Sequence, residues 1–153
     1  SGGFFAVLTG LMQHTHTYKN ILREKEFCVN FLSALYDDHC TKTIHNNGDD
    51  IDEIETAGLT VETAKEIAVP RIKEAFLSFE CKLESTSDLS GKGISAMIIG
   101  RVVNAAIDSN HKDIEAVCKN FNYYIHAPKD LTTGEGEAEA HATLKTYETE
   151  ITT

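Results

Sequence analysis

The chain has 153 residues, of which 14 are Lys or Arg and 24 are Asp or Glu, so its formal net charge is −10 with neutral histidines. This acidic balance excludes a general nucleic-acid binder, because neutralising phosphates requires an excess of Lys and Arg. With 41% hydrophobic residues at this length, we expect a single domain over residues 1–153 with an ordinary hydrophobic core.

The cysteines and the longest apolar run indicate where the protein works. The four cysteines form no C-x-x-C pair and no secretory-type cluster, which predicts reduced thiols in a cytoplasmic protein. The apolar run over residues 4–12 is far shorter than the ~20 residues of a membrane span, so no membrane protein is expected. The opening Ser1-Gly2-Gly3 lacks an initiator Met and resembles a cloning scar or a cut end, so we expect the natural protein to begin earlier.

The first predicted elements are a strand and a short helix. Residues 4–12 are rich in β-formers and almost continuously apolar, a pattern typical of a central strand that is covered on both faces. Tyr18, Ile21 and Leu22 then follow i, i+3, i+4 spacing, which predicts a short helix capped by Thr17. The chain is therefore expected to pass directly from a strand to a helix N-terminus.

The middle of the chain predicts a second strand and two further helices. Apolar residues alternate over 26–32, and Ser33 is expected to cap a helix that continues to Ile44. The acidic stretch 49–55 is expected to be solvated. A short helix over 64–67, capped by Thr60 and ended by Pro70, is predicted next.

Two long β segments follow. Residues 75–83 alternate between apolar and polar types, which predicts a half-buried strand, and a polar turn over 85–93 leads to a second β run over 94–107. Gly100 in the middle of that run indicates a bulge or a sharp coil, and the pair is expected to form a hairpin.

The end of the chain predicts less regular structure. We expect a helix capped by Asn110 and, from Pro128 onward, a loosely packed tail with one edge strand over 144–151, so that residues 109–153 form a C-terminal extension. Long strands with short intervening helices favour a mainly β (α+β) fold, a β-barrel with peripheral helices, over a doubly wound sheet. The chain contains no G-x-G-x-x-G motif and no P-loop, so any nucleotide is bound by other means.

The stretch from His14 to Arg23 carries the clearest indication of a binding site. Residues 1–23 contain two cations, Lys19 and Arg23, and no acid, in an otherwise acidic chain. The start of a helix offers unsatisfied N–H groups and partial positive charge, so hydroxyls and cations around Thr17 are consistent with a phosphate site. The alternative is that Thr17 only caps the helix while both cations are solvated.

Metal binding and side-chain catalysis are the weaker interpretations of this region. His14 and His16 lack a spaced third ligand, so no metal site is predicted from them. No catalytic acid or base is assigned either.

Five fragments in order resemble the flavin reductase-like family of FMN-binding split barrels. The similarity extends over about residues 4–108 and comprises the following elements, quoted as they stand in this chain: His16-Thr17-Tyr18-Lys19-Asn20-Ile21, Glu26-Phe27-Cys28-Val29-Asn30-Phe31, Ala57-Gly58-Leu59-Thr60, Pro70-Arg71-Ile72-Lys73-Glu74-Ala75 leading into Glu80-Cys81-Lys82-Leu83, and Ile98-Ile99-Gly100-Arg101-Val102-Val103. The family also has an N-terminal strand and loop that contacts the flavin ring, and this chain begins after that element.

The resemblance implies a fold, a cofactor and a site. It implies a homodimer of split β-barrels that binds FMN near the subunit interface, with NADH, NADPH or another donor reducing the flavin. It places the threonine of the H-T-Y-x-N-I element near the FMN phosphate, which makes Thr17 the first candidate and His16, Lys19 and Asn20 the further ones. The expected activity is that of an FMN-dependent oxidoreductase. The alternative is a split-barrel dimer without turnover that carries flavin or binds a partner.

Overall fold

The computed structural model describes residues 3–45, 51–109, 122–128 and 137–143. These ranges contain the following elements: β1 (Phe5–Met12), α1 (His16–Glu24), β2 (Glu26–Phe31), a 3₁₀ turn (Ala34–Tyr36), α2 (Asp37–His45), α3 (Glu53–Thr56), β3 (Val61–Glu62), β4 (Arg71–Ile72), β5 (Leu77–Asp88), β6 (Ser95–Ile107), β7 (Asn122–Pro128) and β8 (Glu137–Thr143). None of the helices in these ranges is long and apolar enough to cross a membrane.

The main sheet has four antiparallel strands in the order β1-β6-β5-β2. The predicted hairpin is confirmed as β5 and β6, although β5 continues to Asp88, so that the turn is shorter than the predicted 85–93. β3 pairs with β4, and β7 pairs with β8. The architecture is mainly β with helices at the periphery, as the sequence predicts.

The prediction that the first strand is central was wrong within the described sheet. β1 pairs only with β6 and lies at the edge. Ala6 and Leu8 pack on the core, whereas Phe5 and Val7 remain 47% and 54% exposed. β1 is apolar on both faces, and in the isolated chain one face packs on the core while the other remains exposed.

The core lies between the four-stranded sheet and α1. Its buried residues are Ile21, Phe27, Cys81 and Ile98, with the half-buried side chains of neighbouring strands around them. Only glycine fits at position 100 in this layer, because an added Cβ would overlap the Phe27 ring and lie 2.7 Å from its Cε1 atom. The strand pairing is also irregular beside Gly100, between Leu83 and Ser85, close to the predicted bulge.

The predicted helix after β1 is confirmed as α1, but its cap is Thr15 and not Thr17. The Thr15 hydroxyl accepts a hydrogen bond from the Tyr18 amide at 3.3 Å and donates one to the Met12 carbonyl at 2.8 Å. Both threonines are residue types that cap helices, and the one nearer the strand end takes the position. Thr17 is therefore left in the first turn of the helix.

The helix predicted over 64–67 was wrong, because side chains of the sheet bind the amides that a helix would need. The Glu80 carboxylate accepts hydrogen bonds from the amides of Lys65 and Glu66, and Glu26 Oε2 accepts one from the Ala68 amide. Residues 63–72, here called the 63–72 segment, consequently lie against β2 and β5 in an irregular conformation that ends in β4.

The acidic stretch contains a helix that the sequence analysis missed. Asp52 caps α3 by accepting hydrogen bonds from the amides of Ile54 and Glu55 at 2.9 and 3.1 Å. At the other end of the chain, the helix predicted from Asn110 and the strand predicted over 144–151 lie outside the described residues.

Candidate functional site

A cleft of about 650 Å³ opens beside α1, with β2 and β4 on one side and α2 and α3 on the other. This volume is within the range of small-molecule sites. Polar and thiol side chains from four elements line it: His16, Thr17 and Asn20 from α1, Glu26, Cys28 and Asn30 from β2, Cys40 from α2 and Glu53 from α3. The 63–72 segment completes the wall with residues 68–70.

Three of the four predicted site residues lie together in this cleft. His16, Thr17 and Asn20 all line it because the i, i+1 and i+4 positions of a helix share one side. Lys19 is exposed and is not among the lining residues. The helix therefore presents a hydroxyl and a carboxamide to the cleft, while its nearest lysine faces solvent.

The polar groups of Thr17 and Asn20 are available to a ligand. Within the described part of the chain, neither the Thr17 hydroxyl nor the Asn20 carboxamide has a protein hydrogen-bond partner. A hydroxyl and an amide NH₂ group can donate to a ligand oxygen. The start of α1 adds partial positive charge at the same place. Thr15, by taking the cap position, leaves the Thr17 hydroxyl for this role.

His16 and Glu53 meet on the opposite side of the same corner. His16 Nδ1 lies 3.3 Å from Glu53 Oε1, and the two side chains are about one-quarter exposed, at 27% and 24%. Glu53 Oε1 itself is buried and has no hydrogen-bond partner among the described residues. An acidic group thus stands beside the helix start.

The position of Glu53 is fixed by the way α3 begins and ends. Asp52 caps its start, and at its end the Gly58 amide donates to the Glu55 carbonyl and the Leu59 amide donates to the Ile54 carbonyl. This 5→2 and 6→1 pair is the Schellman arrangement, which requires a left-handed residue, and Gly58 has φ +75°. Both ends of the short helix are therefore closed by specific hydrogen bonds.

The polar side of β2 forms the other wall of the cleft and is tied to the 63–72 segment. Glu26 Oε2 accepts from the Ala68 amide at 2.8 Å, and Asn30 Oδ1 accepts from the Ile72 amide at 3.1 Å. Between them, Cys28 lies with its Sγ 4.0 Å from the Val69 carbonyl. This alternation of polar residues on one face of a strand holds the segment at a fixed distance from the sheet.

The Cys28 thiol is chemically quiet. Burial, with a smaller contribution from the negative charge of Glu80, raises the pKa of Cys28 to about 11. Burial also raises the pKa of Cys40, the second cysteine of the cleft. Because the thiolate and not the thiol is the nucleophile, these cysteines line the cleft as neutral groups at physiological pH.

Sequence reasoning missed most of the cleft apart from α1. Glu53 was assigned to a solvated acidic stretch, although Asp52 and Glu55 have the spacing of a capping box and Gly58 follows as a C-terminal cap, which together signal a short helix. The polar face of β2 was visible as alternation with Phe27 and its neighbours. No pattern along the chain indicated that these elements surround one cleft.

Comparison with known proteins identifies the family. The sequence model of the "Flavin reductase like domain" matches residues 5–126. The chain belongs to the flavin reductase-like family. Membership confirms the resemblance noted in the sequence and associates the chain with flavin-linked redox chemistry.

Individual relatives agree in fold. The flavin reductase-like chain is similar to a proposed flavin reductase with a split barrel domain from Shewanella frigidimarina, at 20% identity and TM-score 0.69, over 97% of this chain and 71% of that one. It is also similar to flavoredoxin of Desulfovibrio vulgaris (Miyazaki F), at 20% identity and TM-score 0.64, over 93% of this chain and 73% of that one. The split-barrel fold is thereby confirmed.

A relative of closer sequence covers a shorter segment. An uncharacterized protein of Aquifex aeolicus (strain VF5) is 48% identical over 67 residues, which are 44% of this chain. The matched segment spans 34% of the length of that protein.

Proposed function

We propose that this protein is an FMN-binding oxidoreductase that passes hydride or electrons from a reduced nicotinamide, NADH or NADPH, through the flavin. The observation that carries the proposal is the cleft beside α1, where the Thr17 hydroxyl and the Asn20 carboxamide face open space with no partner among the described side chains. Membership in the flavin reductase-like family supplies the class of ligand.

The residues present are compatible with a phosphate-bearing flavin at this corner. Thr17 can donate from its hydroxyl and Asn20 from its NH₂ group, and both residues line the cleft. His16 also lines the cleft, where its Nδ1 contacts Glu53, and Lys19 contributes only long-range attraction from its exposed position.

The bound flavin supplies the redox chemistry, so the protein needs to bind, orient and shield it. No side chain of the cleft is assigned as an acid or a base in the reaction. β2 and the 63–72 segment would shield one side of a bound flavin, and Glu26 and Asn30 hold the segment in place through the amides of Ala68 and Ile72.

A homodimer completes the proposal. Large apolar side chains are exposed along β1 and at the end of β6, among them Val7 at 54% and Ile107 at 60%. An uncovered apolar sheet edge of this kind favours association with a second copy. We also place the protein in the cytoplasm, since the three described cysteines, Cys28, Cys40 and Cys81, are free thiols.

Two measurements test the proposed function. Purified protein is titrated with FMN, its visible absorbance is recorded, and NADH or NADPH is then added without oxygen to follow bleaching of the flavin. Bleaching with turnover is expected. Bound flavin that neither nucleotide reduces would favour the alternative, a flavin carrier without turnover, and the absence of any flavin binding would contradict both.

The phosphate role of Thr17 has a separate test. Thr17→Val removes the hydroxyl while keeping the shape of the side chain, and it should weaken FMN binding about tenfold, as expected for one hydrogen bond to a charged group. Riboflavin, which lacks the phosphate, should lose less than twofold. Lys19→Ala is the control, with a small loss that disappears in high salt. Equal losses for both flavins would contradict a phosphate contact at Thr17.

A further inference from the structure

Glu53 brings an unneutralised carboxylate to the corner of the cleft where the proposed ligand carries its phosphate. Its Oε1 is buried without a hydrogen-bond donor in the described part of the chain and lies 3.3 Å from His16 Nδ1. The Glu53 side chain is 24% exposed and lines the cleft, so its charge acts on a ligand bound at this corner.

The other acids of the cleft differ from Glu53 because they are already bound. Glu26 accepts from the Ala68 amide and lies 3.8 Å from Lys82 Nζ, and Glu24 pairs with Arg23 at 2.6 Å. The Glu24 contact also occupies the single arginine that lines the cleft. Among the described residues, Glu53 therefore has no lysine or arginine partner, and its basic neighbour is His16.

We propose that Glu53 limits how strongly this cleft favours FMN over riboflavin, by opposing a phosphate at the start of α1. This inference rests on the proposed function, since it presumes that the cleft binds a flavin. Flavins carry a polyhydroxylated side chain with or without a terminal phosphate, so either end group can occupy the same corner. Carboxylate and phosphate repel each other, whereas an uncharged hydroxyl meets no such repulsion. Glu53 therefore offsets part of the preference for FMN that the Thr17 contact creates.

Two charge-neutralising variants on the same helix test this role. Glu53→Gln removes the charge and keeps a carbonyl acceptor, while Glu55→Gln removes the same charge from an exposed position that does not line the cleft. Dissociation constants for FMN and for riboflavin are measured by flavin fluorescence at low ionic strength. Glu53→Gln should bind FMN about fivefold more tightly and leave riboflavin within twofold, and Glu55→Gln should change neither by more than twofold.

Salt and a charge-preserving variant separate electrostatics from folding. The fivefold gain in FMN affinity should become smaller in about 0.5 M salt, because salt screens the repulsion. Glu53→Asp keeps the charge and should show no gain, and circular dichroism melting checks that each variant is folded. Equal changes for both flavins in Glu53→Gln, or an equal gain in Glu55→Gln, would overturn the role of Glu53 while leaving the proposed function intact. No binding of either flavin by the unmodified protein would overturn both.

Discussion

Gly100 shows how a single residue can limit what the core tolerates. Its backbone conformation is ordinary for a strand, so it is not required for flexibility. It is required because the Phe27 ring and the Cys81 Cβ lie where a side chain would begin, the latter at 3.0 Å from an added Cβ. Close contact between a ring and a strand backbone brings β2 and β6 to the same core layer.

Gly100→Ala should therefore destabilise the protein by ~1–3 kcal/mol, the usual cost of overfilling a packed core. The free energy of unfolding is measured by urea denaturation. Gly3→Ala is the matched control, because an added Cβ there has only ordinary contacts at 3.6 Å and should change stability little. Adding Phe27→Leu to Gly100→Ala should restore part of the loss, since the two positions are in contact. A stability loss at Gly100 that is independent of Phe27 would show that another contact is responsible.

Cys28 gives a second prediction at this scale. Because its pKa is about 11, Cys28 is mostly a neutral thiol in the folded protein near pH ~8. Its alkylation by iodoacetamide should therefore be far slower in the folded protein than in the same protein unfolded in urea, where the thiol has an ordinary pKa. The folded rate should rise as the pH approaches the pKa. Peptide mapping by mass spectrometry identifies the modified cysteine. A folded rate equal to the unfolded rate would contradict the burial of this thiol.

The 63–72 segment is the element whose conformation depends most on distant side chains. Glu80 is fully buried, and it binds the amides of Lys65 and Glu66 and the Asn104 carboxamide. Burial alone would raise the pKa of Glu80, but these donors and the nearby Arg71 lower it below its ordinary value. The segment and the charged state of one carboxylate are thus linked.

This link predicts how stability changes with pH. Because folding lowers the pKa of Glu80, its stabilising effect is fully present above the ordinary value of 4.5 and is lost as the pH falls through the folded pKa. Glu80→Gln should lower the free energy of unfolding by about 3 kcal/mol at neutral pH. This difference from the unmodified protein should become smaller as the pH falls below the ordinary pKa of 4.5. Urea denaturation at several pH values measures it.

Glu84→Gln serves as the control for Glu80→Gln. Glu84 lies on the same strand but pairs with Arg101 at the surface, so its loss should cost less than ~1 kcal/mol. A Glu80→Gln effect that stays constant down to acid pH would show that the carboxylate is not held charged in the folded protein.

The spacing of apolar residues along the chain was sufficient to predict the elements that bury one face. The alternation in β2 and β5 and the apolar spacing of α1 were sufficient to predict these elements, because one face of each is buried. The helix predicted over 64–67 failed because Glu80, which lies more than a dozen positions away, binds its amides. The helix is capped by Thr15 and not by the predicted Thr17, because both threonines can cap a helix and Thr15 lies nearer the end of β1.

The candidate site was predictable only where it lies on one helix. Thr17, His16 and Asn20 were identified because they follow one another in a motif, and the structure places all three in the cleft. Glu53 was not among the candidates, because its place in the cleft depends on a contact with His16, which lies more than thirty residues earlier in the chain. Long-range contacts of this kind leave no periodic pattern in a sequence.

At the scale of the whole molecule, one side of the sheet keeps apolar side chains exposed to solvent in the isolated chain. Phe5 packs its ring under Arg101 at 5.3 Å, whereas Val7 stays more than half exposed on the edge strand. A dimer that covers this surface would also give β1 the second neighbour that its continuous hydrophobicity indicates.

Val7→Lys should therefore weaken the proposed homodimer by roughly 100-fold in dissociation constant, because an unpaired charge would be buried at the interface. Analytical ultracentrifugation over a concentration series measures the change. Leu89→Lys is the control, since Leu89 is similarly exposed, at 53%, in the turn between β5 and β6. A monomeric unmodified protein, or equal weakening by both variants, would contradict an interface along β1.

The cleft wall is held through backbone N–H groups, and this has a consequence for how the protein can change. The amides of residues 65, 66, 68 and 72 are bound by side chains of the sheet, so the geometry of the wall does not depend on which side chains those residues carry. Every amino acid except proline supplies such a donor. A substitution of Lys65, Glu66 or Ala68 by any residue except proline therefore keeps the donor that fixes the wall, and at Ala68 it changes the lining of the cleft as well.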